Sequence, residues 1–147
     1  MSDTPSTATK IAQCCCGALR AEVQGEPQGG VVICHCADCQ RRTGATFGVG
    51  AYYSKKKVNI SGESRVYTRA GASGHALHQQ FCPTCGTNLF WYPTFRPEVI
   101  GIAVGGFVDP NFPPPVRSVW EQTRHAWVEL PEGTSHFAQG QKRGPTE

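Results

Sequence analysis

The hexapeptide CHCADC, residues 34–39, carries Cys34, Cys36 and Cys39 in one C-x-C and one C-x-x-C spacing. Two flanking segments repeat those spacings, QCCCGA around Cys14, Cys15 and Cys16 and CPTCGT around Cys82 and Cys85. Gaps this short favour chelation of one ion over disulfide bridging. The amino terminus, MSDTPSTATK, is polar and carries Asp3. It has neither the basic start nor the apolar stretch of a secretory leader, so a cytoplasmic protein with reduced thiols is expected, and metal is the expected reason for eight cysteines.

Spacing divides the thiols into two sets. In an extended strand residues two apart face the same side, so Cys14 and Cys16 are expected to present two sulfurs together while Cys15 points away as a spare thiol. Joined to Cys82 and Cys85, whose turn is followed by Gly86, they make a closed four-sulfur site. The separation of 66 positions from Cys16 to Cys82 suits a structural zinc that pins a long loop. Cys34, Cys36 and Cys39 are left as three ligands with one open position, and alternation turns His35 away from the ion, toward orientation or packing. A single ribbon built from Cys36, Cys39, Cys82 and Cys85 leaves Cys14, Cys16 and Cys34 without a role and is disfavoured for that reason.

Working outward, the rest reads as short β-type runs punctuated by the 17 glycines and 11 prolines, at residues 19–24, 31–34, 46–53, 58–61, 65–69, 76–81, 89–92 and 99–108. No three-turn amphipathic helix is visible. One helical turn is expected within residues 41–45 or after Asp109, and Pro113, Pro114 and Pro115 forbid helix where they stand. The fold class expected is mainly β, in one domain over residues 11–137, with a disordered tail at 1–10 and a flexible one at 138–147. Residues 99–108 are the most apolar stretch, and ten residues fall short of the ~20 needed to span a membrane as a helix. The formal charge of +3 falls to about zero once seven cysteines are thiolates and two zinc ions are bound, which removes a basic-protein argument for nucleic acid. Lys55, Lys56 and Lys57 read as a solvated turn.

Three thiolates leave a bound zinc with net negative charge, a poor generator of hydroxide, so hydrolysis is disfavoured. Such a site is suited to capturing a small thiol as thiolate, a group whose free pKa is ~8.5. Attack of that thiolate on an aldehyde carbon needs little more than a positioned sulfur and a polarised carbonyl.

Several motifs carry a family resemblance: CxCGA at residues 14–18, CHCxxC at 34–39 followed by Gly44-Ala45, FCxxCGT at 81–87, the segment GGFVDP at 105–110 and the region of Trp120 and Trp127. The sequence resembles the glutathione-dependent formaldehyde-activating enzyme family, whose domain is shared with centromere protein V, from about residue 11 to 137. The resemblance implies a β-tent fold of several small antiparallel sheets organised around zinc. It implies a structural zinc on Cys14, Cys16, Cys82 and Cys85 and a catalytic zinc on Cys34, Cys36 and Cys39. It also implies carbon–sulfur lyase activity, the namesake reaction joining glutathione and formaldehyde into S-hydroxymethylglutathione. Ser118 stands where some relatives have histidine. The alternative to an enzyme is a non-catalytic zinc-stabilised interaction module; a thiol redox switch is a third reading.

Glutathione carries two carboxylates, so cationic partners are expected near the open position. Arg41 and Arg42, just after Cys39, are the candidates; Arg96 and Arg124 are weaker ones. Phe47, Trp91, Trp120 and Trp127 could wall a pocket, but large aromatics in a small β domain more often belong to the core, which is the favoured reading. His75, His78, His125 and His136 lack ligand spacing and stay unassigned.

Overall fold

The computed structural model describes residues 8–71 and 74–140. Its strands are β1 (Thr9–Gln13), β2 (Arg20–Gln24), β3 (Val31–Cys34), β4 (Gly48–Ser54), β5 (Val58–Ser61), β6 (Arg65–Ala70), β7 (Ala76–Phe81), β8 (Asn88–Pro93), β9 (Val99–Ala103), β10 (Pro115–Val119) and β11 (Ser135–His136). One short helix, α1 (Ala37–Thr43), follows β3. The chain is therefore mainly β, as expected. Strands β1-β2-β5 form a three-stranded antiparallel sheet, and the order β11-β10-β3-β4-β9-β8-β7-β6 forms an eight-stranded one. In the larger sheet β10 runs parallel to both β3 and β11, while the other pairings are antiparallel.

Register sorts the large sheet into two chemically different faces. Val31 lies opposite Ala51, Ala51 opposite Ile102, and Ile102 opposite Phe90. This face packs with Ala21 and Val23 of the small sheet, and with Ala12, Leu19, Leu89 and Phe112, into one hydrophobic core that also holds the buried sulfurs of Cys14 and Cys82. The alternate residues Cys34, Gly48, Gly50, Tyr52, Gly101, Trp91 and Gln79 lie on the other face. It is cleared of side chains at three glycines. Trp91 fills the gap, and a Cβ at Gly101 would overlap its indole.

Several local expectations change. Cys14 to Cys16 do not continue β1. They form a turn closed by the Gly17 N–H on the Cys14 carbonyl at 3.0 Å, with Gly17 at φ +78°, where a side chain would be strained. The helical turn comes earlier than expected, starting at Ala37 because Cys36 caps it. Its sulfur accepts the Cys39 N–H at 3.3 Å, and Gly44 ends the helix in the left-handed region. The residues directly after Asp109 make a tight turn in which its carboxylate accepts the Asn111 N–H, and a single 3₁₀ turn comes only later, at Glu121–Thr123. The run at 99–108 is a strand only to Ala103, then a 3₁₀ turn over Val104–Phe107. The lysine run is an exposed 3₁₀ turn capped by Ser54. Both expected tails overlap ordered structure. Thr9 and Lys10 belong to β1, and the carbonyls of Ala138 and Gln139 accept the N–H groups of Gln122 and Trp120. Residues 1–7 and 141–147 of those tails lie outside the described residues. No helix among the described residues is long and apolar enough to cross a membrane.

Candidate metal centres

The thiols meet in two groups, Cys14 with Cys16, Cys82 and Cys85, and Cys34 with Cys36 and Cys39, the sulfurs of each group lying within 4.8 Å of one another. The ribbon combination of Cys36, Cys39, Cys82 and Cys85 does not form. In the first group the Sγ atoms of Cys16 lie 3.6 Å from Cys14 and 3.7 Å from Cys82. Cys14 and Cys82 are buried and Cys16 and Cys85 face outward, so the cluster closes the rim of the core. Thr87 stitches its two halves together. Its hydroxyl accepts the Cys15 N–H at 3.1 Å and lies 3.2 Å from the Cys85 sulfur. Cys15 is exposed and outside the set.

Without a cation these sulfurs compete for negative charge. Thr87, through its hydroxyl and its N–H, holds the Cys85 thiol down to about 5. The Ala18 N–H favours a Cys16 thiolate, but the neighbouring Cys14 and partial burial win and push Cys16 up to about 12. Burial raises Cys14, yet the Leu19 N–H, donating to its sulfur at 3.2 Å, brings it below the ordinary thiol range. Four soft donors that repel when ionised together fit a thiophilic dication in tetrahedral coordination.

The second group has the same conflict with one donor fewer. Cys34 and Cys39 donate to Cys36 and hold it at about 2, while Cys34, facing that thiolate, is raised. Cys39 is pulled down by Cys34 but raised on balance by Cys36 and by burial. Three thiolates fit a dication that keeps one position open.

The surroundings of this second group are cationic on the sheet side. The Arg42 guanidinium lies 4.6 Å from the Trp91 ring centre, over the gap left by Gly48, and favours the Cys39 thiolate. The Trp91 Nε1–H donates to the Tyr52 hydroxyl at 3.2 Å. Arg69 of β6 favours the Cys36 thiolate and reaches α1 through Asp38 at 3.2 Å, while its Nε–H donates to Gln79 at 2.7 Å. Arg42 has no carboxylate partner among the described residues. Arg41 is exposed at the end of α1, whereas Arg96 pairs with Glu98 and Arg124 with Glu121. Of the aromatic candidates, Trp91 stands beside the cluster. Phe47 meets the His35 ring edge-on at 6.2 Å, and Trp127 is 69% exposed.

β3 ends at Cys34, so strand alternation does not operate at His35; burial turns its ring away from the sulfurs instead. It is fully buried and outside the metal group, its Nε2 2.8 Å from the Ser118 hydroxyl. Its N–H donates to Val119, and its carbonyl accepts from Gln40 at 2.9 Å and Thr123 at 2.6 Å. Sequence reading missed Arg69, Gln79, Tyr52, Thr123 and Glu121, none of which stands in a cysteine motif. Strand register brings Arg69, Gln79 and Tyr52 to the face of the cluster, and the 3₁₀ turn Glu121–Thr123 after β10 sets Thr123 on the His35 carbonyl and Glu121 on Ser118.

The sequence model of the glutathione-dependent formaldehyde-activating enzyme family matches residues 9–124. A crystal structure of a Rhodobacter sphaeroides protein is similar in fold, with 25% identity and a TM-score of 0.53, covering 68% of this chain and 91% of that one.

Proposed function

From the premise that this chain belongs to the glutathione-dependent formaldehyde-activating enzyme family, we propose that it is a zinc-dependent carbon–sulfur lyase-type enzyme that joins a small anionic thiol to an aldehyde. Cys14, Cys16, Cys82 and Cys85 would hold a structural zinc, and Cys34, Cys36 and Cys39 a catalytic one. When bound there, zinc supplies a thiophilic anchor that favours the thiolate form of a substrate thiol. The observation that carries the reading is the juxtaposition of the three-sulfur group with Arg42, a guanidinium seated on Trp91 and without a carboxylate partner among the described residues.

Arg42 would take a substrate carboxylate. Stacking on Trp91 fixes the plane of the guanidinium and reduces the freedom lost on binding, which suits a planar two-oxygen partner. Arg41, exposed one residue earlier, would add long-range attraction. The Tyr52 hydroxyl receives the Trp91 N–H and so holds the indole that carries Arg42. In the reaction a sulfur–carbon bond forms, the carbonyl π pair moves to oxygen, and that oxygen ends with the proton the thiol gave up. No oxidant or reductant is needed. A cytoplasmic site, where glutathione is the abundant thiol, suits this role.

Exchange NMR of glutathione with formaldehyde tests the proposal. Protein carrying two ions should accelerate adduct formation over the spontaneous rate, and Arg42→Ala should raise KM for glutathione by about tenfold while leaving 2-mercaptoethanol unchanged. Absence of acceleration with glutathione and with smaller thiols would favour the interaction-module reading.

A further inference from the structure

Ser118 and His35 are two residues whose exact role the sequence left open, and the structure joins them in one chain of hydrogen bonds. Ser118 is fully buried, and its hydroxyl lies 2.8 Å from His35 Nε2 and 2.6 Å from Glu121 Oε2. The same Glu121 oxygen receives Arg124 at 3.3 Å and lies 2.8 Å from His136 Nδ1. Burial alone would raise the Glu121 carboxyl, but Ser118, His136 and Arg124 hold it below the ordinary range. A carboxylate can only accept, and serine has a single hydroxyl proton. That proton therefore goes to Glu121. Ser118 can then offer His35 only a lone pair, so His35 Nε2 must be the donor. His35 Nδ1 is buried and has no partner among the described residues.

We propose that Glu121 is a positioning residue of the second metal centre, acting through Ser118 to fix the ring of His35 and thereby the peptide that carries Cys34 and Cys36. The inference rests on the reading that Cys34, Cys36 and Cys39 bind an ion. Its physical basis is reach. The backbone of residue 35 is gripped by Val119, Thr123 and Gln40, and the side-chain chain from Glu121 closes the fourth side. With residue 35 locked, the sulfurs on either side of it are presented in one arrangement, so ordering them costs less when the ion binds. Removing outer hydrogen-bond partners of a metal site costs about 10–100-fold in affinity.

The test compares full-length wild type, Glu121→Ala, Glu121→Gln, Ser118→Ala and the double variant Glu121→Ala with Ser118→Ala. Chelator competition measures the affinity of each ion, and long-range 1H–15N NMR reads the protonation of the two His35 nitrogens. Wild-type protein that binds only one ion would defeat the underlying reading, not the relay. If it binds two, Glu121→Ala and Ser118→Ala should each weaken the second ion at least tenfold, leave the first unchanged, and broaden or invert the Nε2–H signature of His35. The double variant should lose no more than either single one. Glu121→Gln keeps an acceptor for Ser118 and should retain the second ion. Unchanged second-site affinity in both alanine variants overturns the proposal, as does equal weakening of both ions. So does a loss in Glu121→Gln as large as in Glu121→Ala, which would assign the effect to the ion pairs with Arg124 and His136. If Glu121→Ala does not fold, Ser118→Ala decides by the same readings.

Discussion

Cys34 on β3 and Gly48 on β4 lie opposite one another, so the first sulfur of the three-cysteine group shares a sheet face with a position that has no side chain, and Arg42 occupies the space thus left. The glycines at 48, 50 and 101 are therefore part of the candidate site although none carries a functional group. They decide where Arg42 and Trp91 can lie.

Gly101→Ala is the direct test of that clearance. Its Cβ would overlap the indole of Trp91, a residue 6% exposed with little room to withdraw. Overpacking of this kind costs about 1–3 kcal/mol. Thermal denaturation should show the loss, and the Trp91 emission should shift as the stack with Arg42 opens. An unchanged melting temperature together with an unchanged spectrum would mean that the indole is not held against the sheet.

The two sulfur groups should respond differently to loss of one ligand. Elemental analysis of gently purified protein is expected to give two ions per chain. Cys82→Ser should lose the first ion and unfold or strongly destabilise the domain, because that buried sulfur ties the β7–β8 turn to the turn after β1. Cys36→Ser should lose only the second ion, with circular dichroism close to wild type. Equal loss of fold in both variants would make each centre structural.

Tyr53 supplies a pH-dependent prediction. Its ring is 1% exposed, and its hydroxyl has no hydrogen-bond partner among the described residues. Burial, with help from Glu26, pushes its pKa up to about 12, against ~10 for an unfolded tyrosine. The folded pKa is raised, so the wild type's contribution is full below pH ~10 and is lost as pH rises from ~10 toward 12, where the unfolded chain gains by ionising. Tyr53→Phe should lack this decline. At neutral pH it should be neutral or more stable by about 1 kcal/mol, since it removes an unpaired buried hydroxyl. A clear destabilisation at neutral pH would show that the hydroxyl is satisfied.

Cobalt substitution addresses the open position. With Cys34, Cys36 and Cys39 as the protein ligands, adding glutathione to the two-cobalt protein should strengthen the sulfur-to-metal charge-transfer band. Cys36→Ser protein, keeping one cobalt, should show no change. A wild-type spectrum indifferent to glutathione and to smaller thiols would mean a fourth protein ligand closes the centre.

Cysteine spacing and β-type runs are local properties, and the sequence alone carried them. It contained the two thiol groups, the mainly β class, the motifs shared with the family, and most strands to within one or two residues. It also pointed to Arg42, which follows Cys39 so closely that a short helix had to carry it near the cluster. The expectation that residues 14–16 and 34–36 extend as strands did not hold, because capping by the Cys36 sulfur and the left-handed Gly17 are turn features that alternation does not contain. What only the tertiary structure decided is everything that depends on register. Tyr52, Trp91, Gln79 and Arg69 come from four strands and share the face of Cys34 because each pairing fixes which alternate residues face together. Glu121 meets His35 through Ser118 because β10 runs parallel beside β3, a long-range pairing that no local spacing specifies.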